Sequence, residues 1–244
     1  MPLSIDPFRS ERLIYRAVRA PEDNALFDAL TDDRFGYMNS NASNIKLPGA
    51  KDARDHQKQV AEKALLGAVI CLQPQPTLTT MKQKSEAVGE GEIGAELAQR
   101  VEIEKIKDED GKKTIKQEVK KEERYGSAIG QITLKALPAA MAHHRSTEIA
   151  IDILPEYQGK GYGSEAITWV LDYAFRRAGL HRVEVRAFAW NEGAVRLYEK
   201  LGFAFEGRKR EALWHEGKWW DGVEFGMLES EWWDRQRGKE RMKE

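Results

Sequence analysis

The chain has 244 residues, of which 41% are hydrophobic and 32% charged, and its formal net charge at pH 7 is −1. This length suits one domain with a full core, whereas two domains would both be small. The nearly balanced charge gives no reason to expect a nucleic-acid partner, and no apolar run approaches the roughly 20 residues that span a bilayer. The single cysteine, Cys71, excludes an internal disulfide, so we expect a cytoplasmic protein, with a nuclear location still open.

The spacing of apolar residues predicts a series of strands and helices in the first third of the chain. In chain order we expect a strand over 12–18, a helix over 21–31, a loop with short helical pieces over 32–49, a helix over 53–65 and a strand over 68–72. Glu22 and Asp23 would lie in the first turn of the first helix, where carboxylates suit the helix dipole. Pro74 would end the last strand, since proline lacks the N–H that a ladder needs.

A long charged stretch separates that strand from the next one, which we predict over 127–137. Residues 81–123 number 43, of which 22 are charged and none is aromatic, so they cannot bury enough apolar surface for a core. We expect a mobile insertion or a charged hairpin, which is either a tolerated surface feature or a partner-binding arm. The predicted organisation is a domain over 8–233, the insertion over 75–125 within it and a charged tail over 234–244.

Three glycines at alternate positions lie between a predicted strand over 148–154 and a predicted helix over 163–178. Gly159, Gly161 and Gly163 leave backbone N–H groups unshielded by side chains, and the start of a helix adds unpaired donors and a partial positive charge. Such a loop is typical of a phosphate-binding cradle. The Walker loop does not fit because its Gly-Lys-Ser/Thr ending is missing, and a dinucleotide loop fits poorly because the third glycine comes one position early.

Two segments together resemble the GNAT superfamily of N-acetyltransferases. Gln158, Gly161 and Gly163 meet its Gln/Arg-x-x-Gly-x-Gly/Ala motif, and residues 191–203 are similar to its later helix, Asn-x-x-Ala-x-x-Leu-Tyr-x-x-x-Gly-Phe. The first and last strands, at 10–16 and 219–228, are similar to those of the subgroup containing ribosomal-protein and polyamine acetyltransferases. The resemblance implies a single α/β (α+β) domain. Its central sheet would be mixed and mostly antiparallel, with helices on both faces and a splay between strands 4 and 5.

The same resemblance implies acetyl-CoA as co-substrate and no metal. The loop N–H groups would bind the pyrophosphate, and the pantetheine arm would add alongside the strand before the loop through main-chain bonds. The N–H near Ile153 or Leu154 would polarise the thioester carbonyl. Asn191 would cap its helix, bond to the pantetheine, or do both. The residues expected at the cofactor are Ile151, Asp152, Ile153, Leu154, Gln158, Gly159, Lys160, Gly161, Tyr162, Gly163, Ser164 and Asn191.

Catalysis on an amine needs a base, because an amine arrives mostly protonated at neutral pH. Family position favours Glu148 as that base, directly or through a water. Asp152, which shares its strand face, and Glu184 on the next strand are alternatives. Tyr198 matches the family's general acid, which returns a proton to the CoA thiolate. Plain structural roles compete with both assignments, a strand-end carboxylate for Glu148 and a packing aromatic for Tyr198.

The predicted function is therefore acetyl transfer from acetyl-CoA to a primary amine by direct attack in a ternary complex. The acceptor would be a protein N-terminus, a polyamine or a small amine, and the protein a monomer or homodimer. Residues 35–41 fall at the family's variable acceptor loop, and residues 214–219 resemble the hairpin that walls the acceptor site. The alternative is a non-catalytic acyl-CoA-binding or sensor protein with the same fold.

Overall fold

A computed structural model describes residues 6–43, 45–74 and 125–241 of the chain. The architecture below is that of the compact unit formed by residues 1–73 and 127–244. Residues 75–124 of the predicted insertion and residues 242–244 of the predicted tail lie outside the described residues. Of the helices described, none is long and apolar enough to cross a membrane.

Seven strands and six α-helices make up the described unit. The strands are β1 (Leu13–Arg16), β2 (Ala64–Leu72), β3 (Ala128–Lys135), β4 (Ser146–Ile153), β5 (Arg182–Phe188), β6 (Ala204–His215) and β7 (Lys218–Leu228). The helices are α1 (Asn24–Asp32), α2 (Arg34–Ser40), α3 (Ala50–Lys58), α4 (Tyr162–Asp172), α5 (Glu192–Leu201) and α6 (Glu229–Arg241). Single π-helical turns prolong α3 through Gln59–Lys63 and α4 through Tyr173–Arg177, and 3-10 turns cover Ala139–His144 and Pro155–Tyr157.

All the strands belong to one sheet, in the order β1-β2-β3-β4-β5-β7-β6. Every neighbouring pair is antiparallel except β4 and β5, which run parallel. These two strands pair only where residues 146–148 face residues 182–184, although β4 continues to Ile153 and β5 to Phe188. Beyond Glu148 the two strands therefore separate. The splay between strands 4 and 5 and the mixed, mostly antiparallel sheet are confirmed.

Helices cover both faces of the middle of the sheet, as predicted. On one face Ile149 of β4 packs into a core that contains Ile167 and Val170 of α4. Side chains alternate along a strand, so Asp152 points to the opposite face. There it lies near His56 of α3. The helical spacing of apolar residues predicts a buried stripe from Ala166 to Ala178, and its members as far as Phe175 lie in the core. Ala178 is exposed, so the last position of the predicted stripe was wrong.

The first predicted helix begins later than expected. It starts at Asn24, and Asp23 precedes it as a buried tertiary anchor rather than a first-turn carboxylate. Two guanidinium nitrogens of Arg16 donate to Asp23, at 2.6 and 2.8 Å, and the backbone N–H of Arg19 donates to it at 2.7 Å. The prediction that Glu22 and Asp23 begin the helix was wrong, because an ion pair across the chain outweighs the helix-dipole preference.

The boundary between α3 and β2 also differs from the prediction. The helix begins at Ala50, and the strand starts at Ala64 rather than at residue 68. Ala64 faces Lys135 and Leu66 faces Leu134 of β3, so the partner strand draws these residues into the ladder. Local spacing favoured a helix through residue 65, and this part of the prediction was wrong because pairing with β3 decides the conformation.

Candidate functional site

The glycine loop presents a row of free backbone donors. Gly159 and Gly161 have left-handed φ angles of +70° and +83°, a conformation that side-chain-bearing residues rarely adopt. Helix α4 begins immediately afterwards at Tyr162. Within the described part of the chain, the N–H groups from Gly159 to Ser164 have no acceptor, whereas that of Gln158 donates to Pro155 O at 3.1 Å. The cradle thus consists of six consecutive N–H groups that end in the first turn of a helix.

Arg12, just before β1, fastens this loop from the other side. Its backbone N–H and Nε donate to the two carboxylate oxygens of Glu165 in α4, at 2.7 and 2.8 Å. Its Nη1 donates to Lys160 O at 3.0 Å, and the guanidinium lies 4.6 Å from the Tyr162 ring centre. Arg12 donates to Lys160 O on the far side of the loop and thereby holds the loop in the turn that exposes its N–H groups.

Beyond Glu148, the edge of β4 that faces β5 is open, and the backbone groups of alternate residues point into the splay. Leu154 N–H donates to Ile129 O at 2.9 Å, so this residue is hydrogen-bonded to the β3 side. Hydrogen-bonded and non-hydrogen-bonded pairs alternate in an antiparallel ladder, so the backbone groups of Ile153 and Ile151 point the other way, towards the splay. Gln158 Nε2 already donates to Ile153 O at 2.7 Å. Of the two N–H groups considered for the thioester carbonyl, only that of Ile153 faces the open side.

Glu148 is held in a three-member ion cluster. Lys135 Nζ donates to its Oε2 at 2.8 Å, and Arg186 binds both carboxylate oxygens at 2.9 Å. Burial by itself would raise the pKa of Glu148, but the hydrogen bonds from Arg186 and Lys135 outweigh burial, and the pKa lies below its usual range. Glu148 is therefore a fixed anion at neutral pH.

Asp152 lies four residues further along the same strand face and has fewer charged partners than Glu148. Gln131 Nε2 donates to its Oδ2 at 2.7 Å, and His56 Nε2 lies 3.9 Å from the same oxygen. Gln131 is 1% exposed, and its Oε1 has no partner among the described residues. The His56 ring packs edge-on against Phe27 of α1, with 5.4 Å between ring centres. A carboxylate, an imidazole and a buried amide thus meet between β3, β4 and α3.

Tyr198 projects from α5 towards the same carboxylates. It is 9% exposed, and its ring packs edge-on against Phe203 and Phe225. Burial raises the pKa of Tyr198 to about 12, and the negative charges of Asp152 and Glu148 add to the effect. The hydroxyl is therefore protonated throughout the neutral range, as a general acid must be before it acts.

Asn191 ties the start of α5 to the N-terminal helices. Its side-chain oxygen accepts from Ala194 N–H at 3.1 Å, which makes it the predicted helix cap. Its Nδ2 donates to Asn39 O at 3.3 Å, and Asn39 Oδ1 accepts from Trp190 Nε1 at 3.1 Å. Trp190 in turn stacks on His215, with 4.3 Å between ring centres. The predicted acceptor loop in α2 and the predicted hairpin of β6 and β7 therefore meet at Trp190.

The remaining candidate groups are less well placed for catalysis. Glu184 accepts from Arg182 Nε at 2.8 Å within the sheet. His143 and His144 lie exposed in a 3-10 turn with their rings 3.9 Å apart. Lys160 Nζ lies 5.6 Å from the Tyr157 ring centre at the loop surface. Within the described residues, no three His, Cys, Asp or Glu side chains lie close enough together to hold a metal ion.

Comparison with known proteins shows a similarity in the part of the chain that holds the glycine loop and α5. Residues 90–203 match the model of the Acetyltransferase (GNAT) family. The matched segment contains both sequence motifs, so the chain is similar to this family of acetyltransferases over residues 90–203.

Two curated proteins are similar in sequence to part of this chain. The chain is 38% identical over 92 residues to a spermidine N(1)-acetyltransferase of Vibrio cholerae, which covers 38% of the chain and 53% of that protein. It is 32% identical over 89 residues to the spermidine N(1)-acetyltransferase of Escherichia coli K12, which covers 36% of the chain and 48% of that protein. The chain thus spans about half the length of the curated relatives it matches.

Solved structures share the fold over nearly their whole length. An acetyltransferase (GNAT family) from Bacillus anthracis superposes with a TM-score of 0.60 at 19% identity, covering 91% of this chain and 98% of that one. The Vibrio cholerae spermidine N-acetyltransferase in complex with CoA and spermine superposes with a TM-score of 0.59 at 21% identity, covering 92% and 99%. At these identities the likeness establishes the fold alone.

Four residues at the site were not found from the sequence. Arg12 fastens the loop, Lys135 and Arg186 hold Glu148, and His56 lies against Asp152. All four reach the site from other elements of the sheet or from α3, so no local spacing marks them. Only the resemblance of the first strand to the family's could have drawn attention to Arg12.

Proposed function

We propose that the protein transfers the acetyl group of acetyl-CoA to a primary amine. The observation that carries the proposal is the row of free N–H groups from Gly159 to Ser164. This loop follows β4, whose backbone groups at Ile151 and Ile153 face the open splay between β4 and β5. A loop of free donors suits a pyrophosphate, and a free strand edge suits the peptide-like pantetheine arm.

The chain's own groups supply the remaining requirements of acyl transfer. Ile153 N–H would donate to the thioester oxygen as negative charge develops there. A carboxylate on the β4 face, directly or through a partner, would take the proton of the acceptor ammonium. Tyr198 would return a proton to the departing sulfur. Asn191, at the start of α5, would keep its capping bond and present its amide near the splay.

The acceptor belongs to the primary amines. Two curated relatives bear the name spermidine N(1)-acetyltransferase, so polyamines lead the candidates, followed by protein N-termini and small amines. The alternative function, a non-catalytic acyl-CoA sensor, would keep the loop and the splay and dispense with Tyr198.

The test is acetyl-CoA binding by calorimetry, followed by CoA release against spermidine, free-N-terminal peptides, aminoglycosides and amino acids. We expect saturable binding and turnover on one class. Binding without turnover on any class would favour the sensor, and no binding would contradict both functions.

As a control for the loop, Gly161→Ala forces an alanine into φ +83°, with its Cβ 3.3 Å from Arg12 Nη2, and should weaken acetyl-CoA binding.

A further inference from the structure

We infer that His56, supported by Asp152, accepts the proton of the acceptor amine. This inference rests on the proposed acetyl transfer and names the group that performs one of its steps. His56 lies in α3, far in sequence from the glycine loop and from Tyr198, and neither the motif nor the strand pattern points to it.

Gln131 of β3, Asp152 of β4 and His56 of α3 lie next to one another in a chain of three side chains. Gln131 is buried and donates to Asp152 Oδ2, which fixes the carboxylate. His56 Nε2 lies 3.9 Å from that oxygen, within reach of an ion pair and slightly too far for a hydrogen bond. Such contacts often tighten only when substrate is bound. The side chains of His56 and Asp152 are 35% and 26% exposed, so an amine can approach them.

Asp152 is a charged neighbour of His56. From α1 His56 meets the uncharged ring of Phe27, and from β4 it meets Asp152. Gln131 of β3 is neutral and contacts Asp152. A carboxylate beside an imidazole stabilises the imidazolium that forms when the ring accepts a proton.

Glu148 is less suited to the same task, because its oxygens are already committed. Arg186 binds both of them and Lys135 binds one. A proton on Glu148 would displace hydrogen bonds from two cations, whereas a proton on His56 creates an attractive contact with Asp152. Asp152 also lies close enough to Tyr198 to act on its hydroxyl electrostatically, so the proposed base and the general acid share one neighbour.

The proton inventory of the step balances. The acceptor ammonium gives one proton to His56 Nε2, and the freed nitrogen lone pair forms the C–N bond as the C–S bond breaks. Tyr198 gives its hydroxyl proton to the departing sulfur, and the second proton, which leaves the nitrogen as the amide forms, restores that hydroxyl. The imidazolium then returns its proton to solvent. The sum is an amide, CoA thiol and one released proton.

The test compares His56→Gln and Asp152→Asn with His143→Gln, which changes an exposed histidine in the 3-10 turn. Each variant is checked for acetyl-CoA binding by calorimetry, and kcat/KM for the amine is then measured from pH 5.5 to 9. We expect His56→Gln to bind acetyl-CoA like the wild type and to lose about 100-fold in kcat/KM at neutral pH. The loss should shrink as pH rises, because the free amine no longer needs a base.

Asp152→Asn keeps the imidazole and removes the carboxylate beside it, so kcat/KM should fall in this variant while His143→Gln follows the wild type. The inference is overturned if His56→Gln keeps the wild-type pH profile, or if Glu148→Gln removes the acid limb and His56→Gln leaves it. Wild-type protein that binds acetyl-CoA but turns over no amine would contradict the proposed function itself. Turnover by the wild type with an unaffected His56 variant would contradict only this inference.

Discussion

Two carboxylates on one strand face have different environments, from which we expect different roles. Glu148 accepts hydrogen bonds from Lys135 and Arg186, whereas Asp152 accepts one from a neutral amide and stands near an imidazole. Strand alternation puts them on the same face but says nothing about what the neighbouring strands and helices bring to each.

The lowered pKa of Glu148 gives a stability prediction with a definite sign. An ion-paired carboxylate stabilises the fold above the pKa of an unfolded glutamate, about 4.3, and loses that contribution as the pH falls through its lowered folded value. We expect Glu148→Gln to cost about 1–2 kcal/mol at pH 7, since both partners are partly exposed. Urea unfolding should show the difference fading below about pH 4.

The matched control for this prediction is Glu192→Gln, which removes an exposed ion pair with Arg196 at 2.8 Å. This variant should change the unfolding free energy by less than about 0.5 kcal/mol. Equal losses in the two variants, or a loss in Glu148→Gln that is the same at pH 7 and at low pH, would contradict the assignment of Glu148 to a fixed ion cluster.

Tyr198→Phe separates packing from proton donation, because it keeps the ring against Phe203 and Phe225 and removes only the hydroxyl. We expect unfolding and acetyl-CoA binding to be nearly unchanged and kcat to fall by about 100-fold. Tyr173→Phe, which changes a tyrosine that packs near Trp169, serves as the control and should keep full activity. A Tyr198→Phe variant with wild-type turnover would show that the tyrosine only packs.

At the scale of elements, the glycine loop depends on a strand that precedes it by nearly 150 residues. Arg12 joins the start of β1 to Glu165 in the first turns of α4 and to Lys160 O in the loop. Ser10 Oγ also donates to Glu165 Oε1, at 2.6 Å. The donors of the loop are thus preorganised by contacts on its far side, which lowers the cost of ordering it when an anion binds.

Arg12→Lys tests this preorganisation. A lysine keeps the backbone bond to Glu165 but lacks the planar guanidinium that joins Glu165 Oε2 to Lys160 O. We therefore expect KM for acetyl-CoA to rise about 10-fold, or about 1.4 kcal/mol, with kcat at saturation unchanged. Arg9→Lys is the matched control, since Arg9 pairs with Asp6 at the surface at 3.1 Å. A fall in kcat with an unchanged KM would mean that Arg12 acts elsewhere than on the loop.

At the scale of the whole molecule, β2 and β3 pair up to their ends, and the sheet contains none of the residues between those ends that join the two strands. Leu72 N–H donates to Ser127 O at 2.9 Å, and Cys71 faces Ala128, so the ends of the two strands lie side by side. A short turn can span such neighbouring ends, and the closure entropy changes only slowly with loop length. We therefore expect the sheet to form without the predicted insertion.

Replacing residues 75–124 by a four-residue turn rich in Gly and Asn should leave the protein folded. We expect the thermal midpoint and the affinity for acetyl-CoA to stay close to those of the full chain, and turnover to stay within about threefold. A version with residues 75–124 shuffled in order controls for length and charge. Loss of acetyl-CoA binding in the shortened chain alone would mean that this segment belongs to the site.

The sequence by itself determined the parts of this protein that depend on local pattern. Glycines at 159, 161 and 163 before an amphipathic helix predict the loop, and Tyr198 lies at the spacing of its motif. These features can be predicted because φ angles, helix starts and helical faces depend on neighbouring residues. Only the tertiary structure decided what surrounds them. Asp23 became a buried anchor, Glu148 acquired two cations and Asp152 acquired His56, because these partners come from separate elements that meet only when the sheet forms.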